Sequence, residues 1–221
     1  MVARRGDGSR RRWHTPVVPD DALPEPFLAD ARALEDAYLT TDDPIRGSGF
    51  GGGPERWRAE RSPILEAVDD DGAFLDVGCA NGFLLECLVA WTAERGISLE
   101  PHGVDLGARL VAAARERLPR HATNLHVGNA WDWSPPRRYR YVYLLADLVP
   151  PDVLDRHLTR MMAAFVEPGG RLILGDYGSR SRGIEPRDVA AILSQQWTVI
   201  GTSEGGDPRV TRFAWADRSV G

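Results

Sequence analysis

The stretch Phe74-Leu75-Asp76-Val77-Gly78-Cys79-Ala80-Asn81-Gly82 constrains this chain more than any other. Ala73, Phe74, Leu75 and Val77 make an apolar run of the length of one interior strand. Gly78 and Gly82 then permit a sharp turn and a close approach of backbone to a ligand. From Phe83 the apolar spacing becomes helical, with Leu84, Leu85, Leu88 and Trp91 available for one side. Strand, glycine turn and helix in that order build an open parallel sheet, whose ligand crevice lies at the carboxyl ends of the strands. Asp76 falls near that end. The helix start beside it offers free N–H groups and the positive end of a dipole. An acid and an anion-attracting end side by side suit a ligand that carries both an ammonium and a carboxylate on a nucleoside.

Asp76-Val77-Gly78-Cys79-Ala80-Asn81-Gly82 resembles the first motif of the class I S-adenosylmethionine (SAM)-dependent methyltransferases, an acid-x-Gly-x-Gly-x-Gly pattern. Ala80 stands at the middle glycine. SAM has the two charges and the nucleoside that the turn calls for. The competing dinucleotide fingerprint is G-x-G-x-x-G. Begun at Gly78, it puts Ala80 and Phe83 at its second and third glycines, and Phe83 cannot pack as closely as glycine does. A plain strand–turn–helix without a ligand is the remaining reading of this motif alone.

The chain beyond the motif keeps the alternation of strand and helix. Leu99–Asp105 reads as a second strand, and a carboxylate at such a strand end can bind both ribose hydroxyls. Asp105 would serve a dinucleotide or SAM equally, with Leu106 against the adenine or ribose. Gly107 to Leu118 is a helix that Pro119 stops. The third strand and its exit loop run from Asn124 to Ala130. In the family resembled this loop reads the adenine, which implies Asn129, Ala130 and Trp131; Trp133 is expected to seal the sheet edge. Tyr139–Asp147 reads as the fourth strand, and Pro151–Val166 as a helix with Leu154, Leu158, Met161, Met162 and Phe165 on one face. Pro168-Gly169-Gly170 ahead of a strand with the apolar run Leu172 to Leu174 recurs in the methyltransferases that the chain resembles. A helix over Val189–Gln195 and strands over Trp197–Thr202 and Val210–Ala216 would close the sheet.

Residues 1–26, with Arg4, Arg5, Arg10, Arg11 and Arg12, read as a disordered basic tail. Residues 27–69 read as a helical lid or cover and 70–221 as the SAM-binding domain. The lid has a helix over Phe27–Leu39 and a second over Glu55–Val68, which Pro63 should bend or divide. Its glycine-rich loop, Ile45 to Gly53, lacks the P-loop pattern and has Phe50 as an apolar anchor. The formal net charge of −5 argues against broad nucleic-acid binding. Pro150-Pro151 is followed by Asp152, so the aromatic that stacks a flipped base is missing. No apolar run spans a bilayer and no signal-peptide pattern is visible, so a cytoplasmic protein is expected. Two cysteines, Cys79 and Cys87, fit a reducing compartment. The five histidines have no metal-ligand spacing, and no metal is expected.

The resemblance implies an α/β, Rossmann-like, seven-stranded, mostly parallel sheet. Helices would cover both faces, the C-terminal strand would be antiparallel, and the N-terminal helices would cover the site. It implies that Asp76 holds the methionine ammonium and that Gly78, Cys79, Ala80, Asn81 and Gly82 approach the methionine part. Asp105 and Leu106 would bind the ribose, and Asn129, Ala130 and Trp131 the adenine. Asp147, ending the strand that faces the methyl group, is the candidate base. The acceptor N, O or C atom is expected on a small metabolite or natural product. An rRNA or tRNA acceptor rests only on the arginine-rich tail. A noncatalytic SAM- or nucleotide-binding module stays open; an NAD-dependent oxidoreductase is disfavoured by Phe83.

Overall fold

The computed structural model describes residues 22–220. The predicted basic tail lies outside the described residues up to residue 21. Leu23 is already buried, and helix α1 (Glu25–Tyr38) starts two residues ahead of its predicted position. Helix α2 (Pro54–Arg61) has Pro54 in its first turn and passes at Pro63 into a 3-10 turn (Ser62–Ala67), the division expected there.

The sheet holds β1 (Gly72–Val77), β2 (Leu99–Asp105), β3 (Leu125–Val127), β4 (Tyr139–Leu145), β5 (Val166–Tyr177), β6 (Gly201–Gly205) and β7 (Thr211–Asp217). Their order is β3-β2-β1-β4-β5-β7-β6. Only β7 runs antiparallel to its neighbours, as the sequence implied. The chain winds outward from β1 to β3 and then returns to place β4 on the other side of β1. That reversal opens a crevice at the carboxyl ends of β1 and β4.

Side chains alternate along each strand, so the sheet feeds two cores. Leu75, Val77, Leu144 and Leu174 pack with helix α5 (Leu154–Arg160) and helix α6 (Val189–Ser194). Phe74, Tyr141, Tyr143 and Phe213 pack on the other face with helix α3 (Phe83–Ala93), helix α4 (Ala108–Arg117) and the 3-10 turn after α2. The predicted helix over Pro151–Val166 has three parts: a 3-10 turn, α5 and a π-helical turn at Met161–Phe165.

The predicted strand over Trp197–Thr202 is displaced. Trp197 and Val199 alternate like a strand but are half-buried against the core. Pairing with β7 starts only at Gly201, opposite Trp215. A Cβ on Gly201 would come within 2.3 Å of the Trp215 ring, so this is where the chain can slide under the indole.

Helix α1 contributes no fully buried residue; Phe27 and Leu28 pack against the core from its first turn, and its far end is held by polar contacts. Glu35 accepts a hydrogen bond from the Arg109 amide at 2.7 Å, capping α4 from outside, and Asp36 pairs with the Arg109 side chain. A cap of this kind contributes about 1 kcal/mol. Glu35→Ala should therefore speed hydrogen exchange over residues 25–38 and lower the melting temperature by only a few degrees. Unchanged exchange in α1 would show that Glu35 does not hold the cover.

Candidate functional site

A cavity of about 480 Å³ lies at the carboxyl ends of β1, β2 and β4, under α1. The β1–α3 turn lines it with Asp76, Gly78, Cys79 and Ala80, and the end of β2 with Asp105 and Leu106. The exit loop of β3 contributes Gly128, Asn129 and Ala130; the exit of β4 contributes Asp147 and Leu148. Phe27, Leu28, Leu34 and Tyr38 close the top, and Trp57 and Arg61 of α2 one side.

The turn has the backbone its glycines suggest. Gly78 has φ of 88°, and a Cβ there would meet the Leu148 side chain at 2.7 Å. Ala80 has φ of 44°, in the left-handed region, where an L-residue costs roughly 1–2 kcal/mol. Asp105 holds it there. Its Oδ2 accepts from the Ala80 amide and its Oδ1 from the Gly107 amide, each at 2.8 Å. A carboxylate oxygen accepts more than one hydrogen bond, so both can also serve a ligand hydroxyl.

The charges in this cavity are desolvated. Burial, and secondly the negative charge of Asp105, push the Asp76 carboxyl up to about 8. Among the described residues no cation pairs with it. Burial also raises Asp105 and Asp147; for Asp147 the nearby Asp176 adds to the effect. Arg61 is buried, its guanidinium carbon 3.6 Å from the centre of the Tyr177 ring. Its Nη1 has no hydrogen-bond partner, and its ion pair to Glu60 is long, at 3.9 Å. The Tyr143 and Tyr177 hydroxyls meet beside it at 2.5 Å.

No known family profile matches the chain. It is 34% identical over 121 residues to a trans-aconitate 2-methyltransferase of Rhodopseudomonas palustris strain BisB18. That match covers 53% of this chain and 44% of the relative, so the chain aligns with less than half the length of the curated proteins it matches. The N-methyltransferase NodS from Bradyrhizobium japonicum WM9, solved with S-adenosyl-L-homocysteine (SAH), superposes with a TM-score of 0.61 at 17% identity. The match covers 85% of this chain and 97% of NodS. The DhpI–SAH complex gives 0.56 at 18% identity, over 88% of this chain and 96% of that one. This chain has the class I SAM-dependent methyltransferase fold.

Within this methyltransferase fold, Asp76, Gly78, Cys79, Ala80, Asp105, Leu106, Asn129, Ala130 and Asp147 converge on one cavity. Three predicted residues do not line it. Asn81 caps α3, accepting from the Phe83 amide at 3.1 Å, and its side-chain amide donates to the Pro44 carbonyl at 3.0 Å. Gly82 faces α4, where a Cβ would come within 2.9 Å of the Ala114 Cβ. Trp131 points away into the core and stacks on His157, ring centres 5.8 Å apart. Asn81 thus takes one amide, that of Phe83, at the start of α3. The lining also holds a cation, Arg61, which was not among the residues expected in the site. Its signal was there: Arg61 shares a side of the helix with Trp57, Ile64 and Leu65, where a charge is costly to bury.

Proposed function

We propose that this chain binds SAM in the cavity and transfers its methyl group to a small-molecule acceptor. The observation that carries this reading is that Asp76 and Arg61, both buried, line the same cavity. A buried carboxyl with no cation paired to it among the described residues, and a guanidinium nitrogen held only by a long ion pair to Glu60, match the two ends of a zwitterion. Asp105 would hold the ribose hydroxyls, and Asn129 and Ala130 the adenine. Bound SAM would supply an electrophilic methyl on its sulfonium. Asp147, raised by burial, would take the proton from an N–H or O–H acceptor; a carboxylate acceptor would need no base. Helix α1 and Trp57 would exclude water, and positioning two reactants in a dry cavity would supply much of the rate. Residues 27–69 would act as the lid of the 70–221 unit.

Among the described residues no helix is long and apolar enough to cross a membrane, and Cys79 and Cys87 are free thiols. Both suit a cytoplasmic enzyme. The trans-aconitate relatives make carboxylic acids the first acceptor class to try. The chain, SAM and a panel of such acids, trans-aconitate included, should yield SAH and a product heavier by one methyl group, read by mass spectrometry. SAH binding with no methyl transfer to any acceptor would favour a noncatalytic module instead.

A further inference from the structure

The loop that would read the adenine leaves β3, a three-residue edge strand, and so has little sheet to hold it. Its support comes from outside. Arg160, in the last turn of α5, is buried beneath it. Its Nη1 donates to the Ala130 carbonyl at 3.2 Å, and its Nη2 to the Trp133 carbonyl. One turn earlier on the same helix face, His157 stacks on Trp131. Trp133 packs on Phe165, whose ring also lies 5.0 Å from the Arg160 guanidinium carbon.

We propose that Arg160 is a positioning residue for cofactor recognition: it clamps the two ends of the 130–133 loop so that Asn129 and Ala130 face the adenine. The proposal rests on the SAM-binding reading above.

The clamp is strong because it is dry. Burial lowers Arg160 from its ordinary value, and burial with the Arg160 charge brings His157 down to about 4. A hydrogen bond from a charged donor gains strength in such surroundings. Two carbonyls bound by one planar guanidinium are also fixed relative to each other, which a lysine cannot reproduce. Within the loop, Asn129 anchors the rest. Its side chain accepts from the Trp131 amide, and its carbonyl from the Asp132 and Trp133 amides. Holding residues 130 and 133 therefore sets the direction of Asn129.

The test uses the full chain with Arg160→Lys and Arg160→Leu, titrated with SAH and with S-inosyl-L-homocysteine, which lacks the adenine amine. In either folded variant the SAH dissociation constant should rise about 10-fold, the loss expected for charge-assisted hydrogen bonds. The preference for SAH over the inosyl analogue should fall by a similar factor. With an acceptor in hand, kcat at saturating SAM should stay within about two-fold while KM for SAM rises, because Arg160 touches no reacting atom. Wild-type affinity and wild-type preference in a folded variant would overturn the proposal. Failure of the wild type to bind SAH would instead defeat the SAM reading itself. If both variants fail to fold, hydrogen exchange on the wild type decides. Amides 131–133 opening together with α5 is the expected result; fast exchange independent of α5 overturns the clamp.

Discussion

Asp76→Asn should weaken SAH binding by about 100-fold or more and raise the stability of the ligand-free protein. Both effects have one cause. Asp76 is buried at the end of β1, beside Asp105, and no cation among the described residues pairs with it. Breaking a buried ion pair with the ligand's ammonium costs on the order of 3–5 kcal/mol, which is at least two decades in affinity. The stability change has the opposite sign. Burial and the neighbouring Asp105 push the folded carboxyl up to about 8, from an ordinary 3.8. Its contribution to stability is full below the unfolded value and is lost as pH rises through the folded one. By pH 7 the loss is on the order of 4 kcal/mol. Asparagine carries no charge to bury, and leaving its amide unpartnered returns about 1–3 kcal/mol of that. Calorimetric melting should show a rise of several degrees at pH 7, shrinking toward pH 5. Equal SAH affinity in the variant would remove Asp76 from the site.

Asp105→Ala should lose on both counts. Its oxygens hold the Ala80 and Gly107 amides and would also take the ribose hydroxyls. Removing them leaves two amides short of an acceptor and frees Ala80 from its left-handed conformation. A stability loss of roughly 2 kcal/mol is expected, with about a 100-fold fall in SAH affinity. Asp105→Asn keeps one acceptor oxygen and should fall between. Melting and titration on the same samples separate the two acids: the Asp76 variant gains stability as it loses ligand, and the Asp105 variant loses both. A stable Asp105→Ala protein with unaltered SAH binding would show that the turn needs no acid from β2.

These contrasts bear on what could be read from the chain alone. β1, its turn and α3 were legible because the apolar period changes from strand to helix across Gly78 and Gly82. Asp105 was legible because it ends a strand ahead of a helix. A residue's place in a motif does not give its direction. Asn81 and Gly82 sit inside the motif yet serve helix capping and helix packing. Trp131 follows the adenine loop directly but turns into the core, where His157 offers a flat partner. Arg61 lies outside the motif in sequence and reaches the cavity because α2 packs against β6 and, through Trp57, against Phe83 of α3. β6 starts later than the alternation of Trp197 and Val199 suggests, because these two pack on the core while pairing with β7 begins at Gly201.

Titration of the wild-type chain with SAH at pH 7, in two buffers of different ionisation enthalpy, tests most directly whether this cavity is built for SAM. Micromolar binding is expected. About one proton should be released per ligand bound, since a carboxyl titrating at about 8 must ionise to meet an ammonium. No heat with SAH, or heat with NAD in its place, would contradict the SAM reading and leave only the sheet architecture standing.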